Sequence, residues 1–133
     1  MEPADQRVRQ VIALMERHLA DPLPLDELAR TVNLSPSYLT FLFRRETGRS
    51  PARFWRDMRL ERARQLLHRT FLSVKEVMAA VGWSDPSHFG RDFKRKHGLP
   101  PSAVRANSPV EFAHDIGAGA ARADEAEKPP TDD

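Results

Sequence analysis

The chain has 133 residues, enough for one compact domain or for two small cores that share a helix. It contains no cysteine, which excludes a disulfide framework and a thiolate metal site and fits a reducing, intracellular compartment. The net charge of +2 conceals a division: residues 1–105 hold 19 Lys and Arg against 12 Asp and Glu, a net +7, whereas residues 106–133 hold 2 against 7, a net −5. A basic body of this kind favours polyanionic partners through long-range attraction. The first twenty residues are charged throughout, unlike a signal peptide, and no run approaches the ~18 apolar residues of a membrane span. The expectation is a soluble, cytoplasmic protein with no membrane partner.

Val8, Val11, Ile12, Met15 and Leu19 recur at three- and four-residue steps and predict a first amphipathic helix from Ala4 to about Leu19. Asp21-Pro22 and Pro24 break it. A second short helix starts at Leu25, with Asp26 and Glu27 in the first turn, where the helix dipole favours acids. Asn33-Leu34-Ser35-Pro36 reads as a turn: Asn tolerates the left-handed conformation, Ser caps, and Pro suits a first helical position. A third helix is expected from Ser37 to Glu46, stopped at Gly48.

Pro51 opens a long fourth helix to about His68, with Phe54, Trp55, Met58, Ala63, Leu66 and Leu67 on its buried side. Ser73 with Glu76 three residues on fits a capping box for a fifth helix, Val74 to Val81. Gly82 and Asp85-Pro86 form the next turn, a sixth helix runs from about Pro86 to His97, and Gly98 ends it. No segment alternates with period two, so the fold class is all-α. Beyond Arg105 the chain is poor in bulky apolar residues and rich in Ala, Gly, Pro and acids, which predicts an acidic, disordered tail over 106–133 in which Val110, Phe112 and Ile116 are the residues able to dock locally.

Two stretches echo each other. Leu39, Phe43, Arg45, Gly48 and Pro51 meet Phe89, Phe93, Arg95, Gly98 and Pro101 at an offset of fifty; Glu27, Leu28, Val32 and Ser35 meet Glu76, Val77, Val81 and Ser84 at forty-nine. One residue is therefore added in the second turn, near Asp85-Pro86. A short helix, a tight turn and a second helix of about ten residues is the layout of a helix-turn-helix, whose second helix enters the major groove of DNA. Helical periodicity turns Leu39, Leu42 and Phe43 inward and leaves Ser37, Thr40, Phe41 and Arg44 outside. In the second unit Phe89 and Phe93 face the core; Ser87, Gly90, Arg91 and Lys94 fall on the outer side, flanked by His88 and Arg95. Small residues let a helix approach base edges, Arg bonds guanine in two places, and Lys and Arg farther along suit phosphates. Plain solvation accounts equally well for Arg91 or Lys94 taken alone. The duplication argues further, because DNA repeats its major groove every ~34 Å.

Catalytic and metal readings find little. His18, His68, His88, His97 and His114 include no pair at helical ligand spacing, and no Cys or paired carboxylate completes a set. Gly-rich phosphate loops and a Gly-x-Ser-x-Gly elbow are missing, so no enzyme, metal or other cofactor is expected. Trp55 and Trp83 fall on apolar positions and read as core rather than as stacking platforms.

Several clusters occur in order: Leu25-x-x-Leu28-Ala29, Leu39-x-x-x-Phe43-Arg44, Gly48-x-x-Pro51, Arg59-x-x-x-Ala63-x-x-Leu66-Leu67, Val81-Gly82-Trp83-Ser84-Asp85, Phe89-x-Arg91-x-Phe93-Lys94 and Gly98-x-x-Pro101-x-x-x-Arg105. The pattern resembles the DNA-binding domain of the AraC/XylS transcription regulators. The resemblance implies an AraC-type domain over residues 1–105, with seven helices in two helix-turn-helix units, about 25–47 and 74–98, bridged by a linker helix of about 51–68. It also implies double-stranded DNA as partner, read in successive major grooves. The base-reading places of the family fall on Ser37, Thr40 and Phe41 in the first unit and on Pro86, Ser87, Gly90 and Arg91 in the second. Arg44, Lys94 and Arg95 would hold phosphates, and His88 a phosphate or a base.

The sequence departs from that family at four places. Phe41 stands where members often carry Arg, which leaves packing on a thymine methyl as its option. Met78 replaces a small Ala in the first helix of the second unit, Asp92 occupies a commonly apolar position, and Trp83 replaces a common Phe. Phe41, Asp92 and the acidic tail motivate a rival reading: a protein-interaction module of the same fold that binds RNA polymerase or another regulator without reading DNA. With Met1 just before the first helix, the chain is expected to be either a complete one-domain regulator, as in the subgroup resembling MarA and SoxS and as the acidic tail favours, or a fragment excised from a larger regulator. Its two units would let it act as a monomer, with RNA polymerase as a further partner.

Overall fold

A computed structural model of the chain describes residues 3–106, so the acidic tail and its Val110, Phe112 and Ile116 lie outside the described residues. The described residues form seven helices and no strand: α1 (Gln6–Arg17), α2 (Leu25–Thr31), α3 (Pro36–Thr47), α4 (Pro51–Arg69), α5 (Val74–Ala80), α6 (Pro86–His97) and α7 (Pro101–Ala106). Two compact units divide between Arg59 and Leu60, inside α4.

The core of unit one gathers the apolar stripe of α1 (Val8, Val11, Met15) with Leu28 and Ala29 of α2, Leu39, Leu42 and Phe43 of α3, and Trp55 of α4. Phe43 meets Phe54 edge to face at 5.2 Å, the geometry that opposes one ring's positive edge to the other's negative face. The core of unit two is built from Leu60, Ala63 and Leu67 of α4, Val77 and Met78 of α5, Phe89 and Phe93 of α6, and Val104 of α7. Trp83 packs edge to face on Phe89 at 5.5 Å. Each fully buried Leu, Val or Phe contributes about 1.5–3 kcal/mol through removal of its surface from water. Of the inward positions read from the sequence, Val8, Val11, Met15, Leu39, Leu42, Phe43, Trp55, Ala63, Leu67, Phe89 and Phe93 are buried, whereas Ile12, Leu19, Phe54, Met58, Leu66 and Trp83 are partly buried and pack against these cores.

The repeat is written in hydrogen bonds as well as in residues. In unit one the chain leaves α2 through Asn33, which sits at φ 59°, and Leu34 N–H donates to the Ala29 carbonyl at 3.0 Å. In unit two Gly82 takes the same place at φ 75°, and Trp83 N–H donates to the Met78 carbonyl at 2.9 Å. Both recognition-length helices then end on a glycine in the left-handed region, Gly48 at φ 81° and Gly98 at φ 86°. Each of those N–H groups closes on the carbonyl four residues back at 2.8 Å.

The added residue needs a correction. The sequence alignment set Ser35 against Ser84, but the residue that caps the second helix as Ser35 caps the first is Asp85. A favoured N-cap carries a side-chain acceptor directly before the first helical residue, here Pro36 and Pro86, and Ser35 and Asp85 both do so. Ser84 is therefore the extra residue. The seventh helix, implied by resemblance and invisible to local periodicity, is held from a distance: Arg105 Nε donates to the Leu67 carbonyl at 3.2 Å and Nη2 to that of Thr70 at 3.0 Å.

Candidate nucleic-acid interface

α3 is launched by Ser35, whose hydroxyl accepts from Tyr38 N–H at 3.1 Å, with Pro36 in the first turn. Ser37, Phe41 and Arg44 are exposed and Thr40 is half-buried, so the face proposed for unit one is open to a ligand. Thr40 Oγ1 donates to the Pro36 carbonyl at 3.0 Å. With its proton committed to the helix backbone, the hydroxyl has only lone pairs to offer, and such an acceptor suits the exocyclic amino group of cytosine or adenine. Arg44 pairs with no carboxylate among the described residues, which leaves it free for a phosphate.

Sequence reasoning passed over one more side chain on this helix, Tyr38. Tyr38 is 43% exposed and Phe41 54%, and their rings stack at 5.9 Å with 30° between planes. The Arg45 guanidinium lies over the Phe41 ring at 5.8 Å, within cation–π range. The signal that marks Tyr38 is an aromatic residue beside, rather than on, the Leu39, Leu42, Phe43 stripe. It is half-apolar, out of phase with the core, and one turn before Phe41.

α6 begins on Asp85, whose Oδ1 accepts from Ser87 N–H at 3.0 Å and from His88 N–H at 3.3 Å. Asp85 Oδ2 faces His88 Nδ1 at 3.1 Å. The His88 backbone N–H is the main cause that holds the Asp85 carboxyl below the usual range, followed among the favourable contacts by the charge of His88. That leaves Nε2 as the ring nitrogen of His88 open to a DNA group. Pro86, Ser87, Arg91 and Lys94 are exposed alongside it. Lys94 has no carboxylate partner among the described residues.

Two expected residues stand differently. Gly90 is buried rather than outward: it lies next to Phe89 and three residues before Phe93, so the core stripe of α6 passes through it, and no side chain extends it toward a ligand. Arg95 is exposed, but its Nη1 meets Asp92 Oδ1 at 3.2 Å. Asp92, placed by sequence where an apolar residue is common, is half-buried and serves as that partner. Arg95 thus meets a phosphate with part of its charge already answered. Met78, the other departure from the family pattern, is accommodated as a buried core residue at 7% exposure.

α3 thus carries Ser37, Thr40, Phe41 and Arg44 in unit one, and α6 carries Pro86, Ser87, His88, Arg91, Lys94 and Arg95 in unit two. Each helix ends in cations, Arg44 and Arg45 in α3 and Lys94, Arg95 and Lys96 in α6. Short polar groups toward the N-terminus with cations toward the C-terminus can approach base edges while holding phosphates. No three His, Cys, Asp or Glu residues among those described are grouped as a metal-ligand set. No helix among them is long and apolar enough to cross a membrane.

A family model described as a helix-turn-helix domain matches residues 28–107. The chain is 38% identical over 104 residues to the HTH-type transcriptional regulator GbdR of Pseudomonas aeruginosa, a match that covers 78% of this chain and 28% of that protein. The chain therefore spans less than a third of the length of that relative. Among solved structures it is similar to a transcriptional regulator with an AraC-type DNA-binding domain from Chromobacterium violaceum, at TM-score 0.72 and 32% identity, over 75% of this chain and 89% of that one. It is also similar to the DNA-binding domain of the global transcriptional factor AdpA in complex with a target DNA, at TM-score 0.71 and 26% identity, over 86% of this chain and all of that one.

Proposed function

From the premise that the chain belongs to the AraC/XylS family of helix-turn-helix regulators, we propose that it is a sequence-specific transcription regulator. It binds double-stranded DNA by setting α3 and α6 each into a major groove. The observation that carries this reading is the twofold occurrence of one device: a capped, proline-started helix of twelve residues that ends on a left-handed glycine and exposes a polar face with cations in its last turn. The AdpA domain, similar over most of this chain, was solved on a target DNA.

In this reading Ser37, Thr40 and Phe41 address bases from unit one, and Pro86, Ser87 and Arg91 from unit two. Arg91 is the side chain suited to a bidentate guanine contact. Arg44 and Lys94 hold phosphates; Arg95 and His88 assist, each already engaged with a neighbouring aspartate. Gly90 contributes only by letting the helix pack. We propose further that one copy of the chain suffices, because two reading helices in one chain supply what single-motif proteins obtain by dimerising, and that RNA polymerase is the partner through which transcription responds.

Selection of binding sites from a random-sequence duplex library, read by sequencing, tests the function. A single enriched motif is expected. A protein that retards all duplexes alike, or none, is not a sequence-specific regulator. Light scattering at micromolar concentration tests the monomer, and a dimer there contradicts it.

A further inference from the structure

Within the DNA-reading function, on which this inference rests, we propose that Tyr38 and Phe41 of α3 together form a surface that senses the 5-methyl group of a pyrimidine in the major groove, the chemistry shared by thymine and 5-methylcytosine.

The two residues occupy the first two turns of α3, the end of a recognition helix that approaches base edges. Single exposed apolar residues are ordinary on a protein surface. Two stacked rings with 43% and 54% of their surface open are a patch. The patch is also fixed in place. Arg45 covers part of Phe41 at 5.8 Å. A ring already stacked on its neighbour loses less freedom when a ligand arrives, so contact with it converts more fully into affinity.

Several occupants are conceivable for an apolar patch, and the charge around it decides among them. Arg44 and Arg45 lie in the last turn of the same helix, and residues 1–105 carry a net +7. A polyanion is drawn to this face and an uncharged apolar protein surface is not favoured by it. On the major-groove edge of duplex DNA the apolar group on offer is the pyrimidine 5-methyl. Neither ring is able to make a bidentate base contact: Phe41 has no polar atom, and the only polar atom of Tyr38 is its hydroxyl. Contact with a methyl group is the discrimination that both rings can share.

The experiment uses the whole chain and the motif enriched from the random library. Each thymine of the motif is replaced singly by deoxyuridine, which removes the methyl and nothing else. A cytosine and a 5-methylcytosine are then compared at any position where the methyl matters. Burial of one methyl group predicts that deoxyuridine weakens binding about fourfold at one or two positions. It also predicts that 5-methylcytosine binds more tightly than cytosine there by a similar factor. Gain from 5-methylcytosine equal to that from thymine identifies the methyl itself as the feature read; a gain from thymine alone identifies thymine as the natural source. In Phe41→Ala and Tyr38→Ala the difference between thymine and deoxyuridine shrinks toward none, while Phe41→Leu keeps it. Circular dichroism verifies that each variant is folded.

Equal affinity for thymine and deoxyuridine at every position, by a protein that does select a motif, overturns methyl sensing and leaves the regulator intact. Retention of the thymine preference in both alanine variants overturns the assignment to this pair. Failure to select any motif removes the function and this inference together.

Discussion

At the scale of single residues, the proposed function assigns base reading and phosphate holding to different side chains of α6. Arg91 is exposed midway along α6, and its charge makes a minor contribution to holding the Asp85 carboxyl below its usual range; Lys94 stands in the last turn with no ion-pair partner among the described residues. Replacement of Arg91 by Ala is expected to lower the preference for the selected motif over random DNA by about 1–3 kcal/mol. Lys94→Ala should weaken binding to all sequences alike and flatten the dependence on salt if Lys94 holds a phosphate as proposed. Titration of both variants on motif and random duplexes at several salt concentrations distinguishes the roles; identical behaviour of the two contradicts them. His97 gives a separate prediction. Its Nε2–H donates to the Leu60 carbonyl at 3.1 Å and its ring packs on Phe93 at 4.5 Å. Burial lowers its pKa below the usual 6.5, a shift that the Leu60 carbonyl and Glu61 only partly oppose. The unfolded chain therefore takes up this proton first. The contribution of His97 is fully present above about pH 6.5 and is lost as the pH falls through the depressed folded value. Denaturant midpoints at pH 7.5 and 5.5 should differ more for the natural chain than for His97→Gln.

Elements come next, and here much was legible in the sequence because helix ends are chemical events. Ser73 and Glu76 announce a capping box, and the structure forms both halves: Glu76 N–H donates to Ser73 Oγ at 3.0 Å and Ser73 N–H to Glu76 Oε1 at 2.8 Å. Gly48 and Gly98 announce the two stops. The expected cost of Gly98→Ala is about 1–2 kcal/mol, the penalty of a Cβ in the left-handed region. Open space surrounds the position, so no clash adds to it. Asn, which tolerates that region better, should cost less. Urea unfolding of the two variants measures this, and an alanine variant as stable as the natural chain would contradict the assigned backbone strain. What local pattern did not reveal was decided by distant partners. α7 has six residues and no stripe; Arg105 secures it by reaching carbonyls 38 and 35 residues earlier. Gly90 looked outward because glycine carries no hydrophobic signal. Arg95 looked free because its partner, Asp92, was read only as a departure from an apolar position. Tyr38 was overlooked because a residue beside a core stripe earns attention only when its neighbours are known. The candidate faces were thus legible as faces, while the pairing of charges across them was not.

For the molecule as a whole, the decisive fact is that the two buried clusters share no residue. Among the described helices, only α4 supplies buried side chains to both, Trp55 to the first and Leu60, Ala63 and Leu67 to the second. Apolar burial acts at contact distance, so the stability of each unit is set chiefly by its own cluster. Leu42 and Leu67 are suitable probes, since both are fully buried, one in each unit. Removal of either side chain to Ala is expected to cost about 2–5 kcal/mol through lost transfer energy and the cavity left behind. The distribution of that loss is the informative quantity. In Leu42→Ala, native-state hydrogen exchange should show protection falling most in α1, α2 and α3, with the amides of α5 and α6 affected less; Leu67→Ala should reverse the order. The N-terminal half of α4 should follow the first variant and its C-terminal half the second, because its amides are protected by whichever core its side chains enter. An equal fall across both units in both variants would mean that α4 transmits the whole loss and that the chain opens as a single cooperative body. An unequal fall has a consequence for DNA reading: a destabilised unit releases its own half of the motif first, so protection from cleavage should be lost at one end of the bound site before the other.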